Sequence, residues 1–124
     1  MSEYDELIDK YFASLNETDD ERRRELIEQV WAENGKFISP FGVAIGHDAI
    51  DAKARKALEQ LAGGEVRRAS DIETLHDCLR LKFEVVNQAG EAFIGGVDFG
   101  MVEGGKLQSM TGFFDFAPTV QMDK

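Results

Sequence analysis

The apolar residues of this chain keep one spacing up to about residue 61 and another from Glu65 onward. In the first half they recur every three or four positions, the period of a helix. In the second they recur every second position, the period of a strand with one buried face. A single switch of this kind predicts helices first and then a run of antiparallel strands. This is an α+β fold, with three N-terminal helices packed on one face of a curved antiparallel sheet.

Tyr4, Leu7, Ile8, Tyr11, Phe12 and Leu15 form the stripe of a first helix over residues 4–15. Thr18-Asp19-Asp20-Glu21 has the form of a capping box and opens a second helix. That helix buries Leu26, Ile27, Val30 and Trp31 and stops near Asn34-Gly35. Lys36 to Ser39 reads as a short strand ended by Pro40, followed by a loop from Gly42 to His47. Asp48 is the expected N-cap of a third helix, with Ile50, Ala54, Ala57, Leu58 and Leu61 inward and Gly63-Gly64 as its stop. Strands follow over 66–75, 77–86, 92–102 and 107–116, the last three joined by turns at Asn87-Gln88-Ala89-Gly90 and Glu103-Gly104-Gly105-Lys106.

A length of 124 residues fits one domain over 1–124, and a hydrophobic fraction of 43% is that of a globular chain. No apolar run approaches the roughly 20 residues of a membrane helix. The start, MSEYDELIDK, is acidic where a secretory signal would be basic and then apolar, so a cytoplasmic protein with no membrane partner is expected. A net charge of −10 argues against nucleic acid, whose phosphates are bound by Lys and Arg. The run Glu21-Arg22-Arg23-Arg24-Glu25 reads as a solvated helix face. Cys78, the single cysteine, reads as a small core residue, and no metal-ligand spacing occurs, so no metal or cofactor is expected.

One residue resists this pattern. Asp98 interrupts the apolar strand EAFIGGVDFGMV, and a carboxylate in such a place is solvated, paired, or held for chemistry. Pairing Val86 with Glu91 across the hairpin sets Leu79 opposite Asp98, Leu81 opposite Gly96 and Phe83 opposite Ile94, which puts Asp98 on the apolar face. A shift of one residue would instead bring Arg80 beside it as an ion pair. The other face of the strand carries Phe93, Val97, Phe99 and Met101. A sheet apolar on both sides is covered on both, so a homodimer through the outer face is expected.

The residues Tyr11-Phe12-Ala13-Ser14-Leu15-Asn16, Ser39-Pro40, Gly46-His47-Asp48-Ala49-Ile50, Gly96-Val97-Asp98 and the run from Gly105 to Phe114 occur in an order that resembles the nuclear transport factor 2-like superfamily. Within it, the chain is most similar to the SnoaL-like polyketide cyclases and ketosteroid isomerases. The resemblance implies a cone-shaped α+β barrel with an apolar pocket between helices and sheet, commonly in a homodimer. In ketosteroid isomerases a first-helix tyrosine and a protonated strand aspartic acid hold the developing oxyanion, as a worked case of a carboxyl kept neutral. Tyr11 and Asp98 match these positions. The general base of those isomerases stands before a proline, where this chain has Ser39. In SnoaL-like cyclases the strand aspartate is itself the acid/base, a role that Asp98 can fill. A carboxyl desolvated among Phe83, Ile94 and Met110 would have a raised pKa.

His76, beside Asp77, is a candidate second acid/base group, and His47 reads as a residue beside a helix cap. Trp31, Ser39, Phe41, Leu79, Leu81, Phe83, Ile94, Met110, Gly112 and Phe114 are the expected ligand-binding positions. Two functions fit. One is a cofactor-free isomerase, cyclase or dehydratase of a small hydrophobic carbonyl compound. The other is a non-catalytic ligand-binding or assembly module of the same fold. An apolar pocket reaching Asp98 favours the first; a filled cone, or Asp98 tied to Arg80, favours the second.

Overall fold

A computed structural model describes residues 4–61 and 63–117 of the protein. The helices are α1 (Asp5–Asn16), α2 (Asp20–Val30) and α3 (His47–Gln60). The strands are β1 (Trp31–Ser39), β2 (Gly42–Ile45), β3 (Glu65–Arg68), β4 (Glu73–Leu75), β5 (Cys78–Val86), β6 (Ala92–Glu103) and β7 (Lys106–Phe116). The strands form one sheet in the order β2-β1-β7-β6-β5-β3, with β4 also paired to β5. All pairings are antiparallel except that of β1 with β7, so the sheet is mixed rather than wholly antiparallel. Ile8, Tyr11, Ile27, Val30 and Ile50 from the helices meet Leu79, Leu81, Leu107 and Met110 from the sheet in one core.

The second helix stops four residues before Asn34. After Val30 the backbone becomes extended at Trp31 (ψ 139°), whose N–H still bonds the Ile27 carbonyl. The Trp31 indole then lies under its own strand, 5.4 Å from the Phe37 ring. A Cβ at Gly35 would come within 2.9 Å of that indole. Burial of the ring on the strand side thus overrides the helical spacing that places Trp31 in the helix.

Four other local expectations are corrected. Asp19, not Thr18, caps α2 by accepting a hydrogen bond from the Arg22 N–H (2.9 Å). Gly46, with φ +88°, precedes α3, and Asp48 lies in the first turn, 2.7 Å from an Arg24 guanidinium nitrogen. The loop from Gly42 holds strand β2, folded back on β1 through Pro40-Phe41, because Ser39 pairs directly with Gly42. The strand expected over 66–75 is two short strands on β5. Between them the Ser70 hydroxyl accepts the Lys82 N–H (2.7 Å) that a continuous ladder would have used.

The β5–β6 register differs from the expected one by two residues. Asp98 lies opposite Leu81, Phe83 opposite Gly96 and Val85 opposite Ile94, with an irregularity between Val85 and Val86. Because side chains alternate with period two, a shift of two leaves every face unchanged. Asp98 is therefore on the concave, helix-covered face, while Arg80 lies opposite Phe99 and binds Glu73 at 2.9 Å.

A second irregularity, at Gly95 and Gly96 in the β6–β7 ladder, bends the sheet beside Asp98. A Cβ on Gly96 would stand 1.9 Å from the Phe113 carbonyl oxygen, so no other residue allows this approach. The helices are tied together by Arg23, buried to 2% exposure. Its Nε bonds Asp51 at 2.6 Å, and its other nitrogens bond Asp20 and the Glu17 carbonyl. No helix among the described residues is long and apolar enough to cross a membrane.

Candidate functional site

Asp98 is 3% exposed in the middle of β6, flanked by Leu81 of β5 and Gly112 of β7. Its Oδ2 accepts a hydrogen bond of 3.2 Å from the Tyr11 hydroxyl. Tyr11 is itself buried on α1, held by edge contacts with Phe12 (5.1 Å), Phe37 (6.0 Å) and Trp31 (6.1 Å). The Ser14 hydroxyl bonds the Tyr11 carbonyl at 2.6 Å. The other carboxyl oxygen, Oδ1, lies over Gly112, where a Cβ would be 2.9 Å away. A side chain at 112 would therefore crowd Oδ1, and Asp98 and Gly112 both border one open space.

That space is a cavity of about 110 Å³ between α1, α3 and the sheet. A single water needs only some 10–15 Å³ on this measure, so there is room for a small organic ligand. Phe37, Phe41, Phe83, Phe114, Val66 and Val85 give it apolar walls. Its polar groups are those of Tyr11, Ser39, Lys53, Lys56, Gln60 and Asp98. Phe41 and Phe114 meet edge to face at 5.5 Å, as do Phe83 and Phe114 at 6.0 Å.

Of the expected ligand-binding residues, Ser39, Phe41, Phe83, Gly112 and Phe114 line this cavity, together with Asp98 and Tyr11. Trp31, Leu79, Leu81, Ile94 and Met110 do not; they are buried in the core on which the site rests. For Leu79 the reason is the two-residue register shift, which moves it opposite Gly100, further along β6 from Asp98. His76 is also outside the site. It is exposed in the two-residue turn that links Leu75 to Cys78, with φ +53°. His47 bonds the Trp31 carbonyl at 2.9 Å and so ties the start of α3 to the start of β1.

The wall supplied by α3, namely Lys53, Ala54, Lys56, Ala57 and Gln60, was not among the expected site residues. Its signal in the sequence is the pair of alanines where a core helix would carry larger residues. Small side chains there leave the volume that the ligand space occupies. Ser39 Oγ accepts the Phe41 N–H at 3.2 Å, which fixes the turn presenting Phe41. Among the described residues no three His, Cys, Asp or Glu side chains gather as a metal site.

Burial pushes the Asp98 carboxyl from its ordinary 3.8 to about 7, with the Tyr11 hydrogen bond opposing the shift. The Tyr11 hydroxyl is raised well above its ordinary value, first by burial and then by the neighbouring Asp98 charge. Near neutral pH the site therefore holds a carboxyl poised between its two forms and a hydroxyl that keeps its proton. Such a pair can accept or donate a proton at Asp98 and donate a hydrogen bond from Tyr11.

Among solved structures, a candidate isomerase of the SnoaL-like family from Agrobacterium tumefaciens superposes with a TM-score of 0.87 at 28% identity, over 93% of this chain and 99% of that one. The chain has the nuclear transport factor 2-like, SnoaL-like fold. A candidate SnoaL-like polyketide cyclase from Jannaschia shares the fold at 14% identity and a TM-score of 0.69, over 89% of this chain and 83% of that one. A candidate ketosteroid isomerase from Kribbella flavida does so at 18% identity and 0.66, over 93% and 79%. No family model matches the chain, and no curated protein matches it in sequence.

The raised carboxyl makes stability depend on pH. Between about pH 4 and 7 folded Asp98 keeps a proton that the unfolded chain has lost, so this residue destabilises the fold increasingly as pH rises through that window. Below the unfolded pKa it has no such effect, and above 7 the effect reaches roughly 4 kcal/mol. Asp98→Asn has no ionisable group. Urea unfolding at pH 4, 6 and 8 should show the variant gaining on the wild type by up to about 4 kcal/mol as pH increases. A difference between the two proteins that is constant with pH would exclude the buried, raised carboxyl.

Proposed function

We propose that this protein is a cofactor-independent acid/base catalyst acting on a small hydrophobic carbonyl compound, in an isomerisation, cyclisation or dehydration, with Asp98 as the proton-transfer group. The observation that carries this reading is the placement of Asp98 and Tyr11 together among the aromatic and aliphatic walls of the cavity, with the carboxyl at about 7. The fold shared with a SnoaL-like candidate isomerase at 28% identity supports it.

The proton inventory suggests how the pair works. With Asp98 ionised, the Tyr11 hydroxyl donates to Oδ2, which leaves Oδ1, over Gly112 in the cavity wall, as the oxygen that takes the proton in this reading. Once Oδ1 has taken a proton from the carbon next to a carbonyl, the carboxyl no longer needs the Tyr11 donor. The hydroxyl can then turn to the enolate oxygen formed at that moment, where a donor contributes most. Ser39, with its ordinary alcohol, takes no part in this transfer. One carboxyl therefore both removes the proton and returns it, at another carbon or at the oxygen.

The experiment is deuterium exchange of the α-protons of butyrophenone, a neutral aryl ketone, in D2O, followed by proton NMR. Exchange should be accelerated by the protein and rise with pH through a midpoint near 7, where Asp98 becomes a base. Asp98→Asn should lower it by about 100-fold or more, and Tyr11→Phe by roughly 10- to 100-fold. Saturable ketone binding with exchange no faster in the wild type than in Asp98→Asn would favour the ligand-binding module instead.

We also propose a homodimer through the outer sheet face. Phe113 is 63% exposed there, with Phe99, Met101 and Phe116 also open to solvent, an apolar surface of the kind that second subunits cover. Light scattering should give twice the chain mass for the wild type and a monomer for Phe113→Glu. A monomeric wild type at tens of micromolar would exclude it.

A further inference from the structure

The charges that line the cavity run against the charge of the chain. The protein carries a net −10, yet among the described residues the charged ones lining the cavity are Asp98, Lys53 and Lys56. On helix α3, Asp48, Asp51 and Arg55 turn to α2, where they bind Arg24 at 2.7 Å, Arg23 at 2.6 Å and Asp20 at 2.9 Å. Lys53 and Lys56 turn to the cavity. Lys53 is fixed in the wall: its Nζ donates to the Gly42 carbonyl, and it lies 4.7 Å over the Phe37 ring. Lys56 is exposed at the rim and makes no ion pair among the described residues.

From this arrangement we infer that the ligand is an apolar, aryl-sized carbonyl compound with an anionic group, most simply a carboxylate, at the end remote from the carbonyl, and that Lys56 is the residue selecting for it. The inference rests on the acid/base reading in one respect, that the carbonyl end lies at Asp98. An anionic group at that buried end would meet the Asp98 charge at close range in an apolar medium and be rejected. At the α3 rim it meets cations across a low-dielectric cleft, which concentrates their field. The aromatic walls of Phe41, Phe83 and Phe114 fill the interval between the two ends.

The probes are 4-acetylbenzoate and its primary amide, in which the ring separates an enolisable methyl ketone from the far end and only the charge of that end differs. Binding is measured by calorimetry at low and high salt, in the wild type, Lys56→Gln and Asp98→Asn, with α-proton exchange of the same compounds as a separate readout. The acid should bind about three- to five-fold more tightly than the amide at low salt, and the ratio should fall at 0.5 M NaCl. Lys56→Gln should reduce the ratio toward one, whereas Asp98→Asn should preserve it. An acid that binds no better than the amide, a preference that survives Lys56→Gln, or no binding of either compound overturns the inference. If the preference is present and neither compound exchanges, the inference stands and the acid/base reading fails; exchange without preference is the reverse.

Discussion

The hydrogen bond between the Tyr11 hydroxyl and the Asp98 carboxyl joins residues 87 apart in the chain, and it is set in the hydrophobic core between helices and sheet. A carboxyl in such a place loses its hydration, and the fold can keep it only by leaving it a proton for much of the accessible pH range or by giving it a donor. Several features of the architecture meet this demand. Helix α1 lies over the concave face so that Tyr11 reaches β6. The bend at Gly95 and Gly96 and the bare backbone at Gly112 leave space around the carboxyl. The edge contacts of Tyr11 with Phe12, Trp31 and Phe37 hold its ring in one orientation.

Among the described residues, acidic side chains other than Asp98 are kept out of the cavity. Asp20, Asp48 and Asp51 are drawn to Arg23, Arg24 and Arg55 on the outer side of the helices. The partition leaves one carboxyl on the inside, and with Ser39 at the position before Pro40 there is no second one to share its task. In the acid/base function we propose, the chemistry is that of a single proton carrier assisted by a hydroxyl donor. That restricts it to steps in which the group that takes a proton can also give it back.

The three helices, the run of strands after them and the faces of β5 and β6 were legible in the sequence because these follow from hydrophobic period, whereas β2 was read as a loop. The burial of Asp98 could be read even though the hairpin register was not, since an offset of two residues leaves the alternation intact. What escaped was set by contacts distant in the chain. Trp31 belongs to a strand because its ring packs on Phe37 beneath Gly35, which outweighs a helical spacing. The break between β3 and β4 depends on one serine hydroxyl taking a ladder hydrogen bond. His76 carried a motif-like pairing with Asp77, but a tight turn holds it in solvent. The α3 wall was hidden for another reason: alanines signal open volume only when the facing sheet is known.

The central claim is that Asp98 is a desolvated carboxyl held by Tyr11, and the most direct test follows the Asp98 carboxyl carbon by NMR from pH 3 to 9 in the wild type and in Tyr11→Phe. The account predicts a midpoint near 7 in the wild type and a higher one in the variant, because the lost hydrogen bond had favoured the ionised form. A midpoint at or below about 3.9, the value of an unperturbed aspartate, and unchanged in Tyr11→Phe, would contradict it.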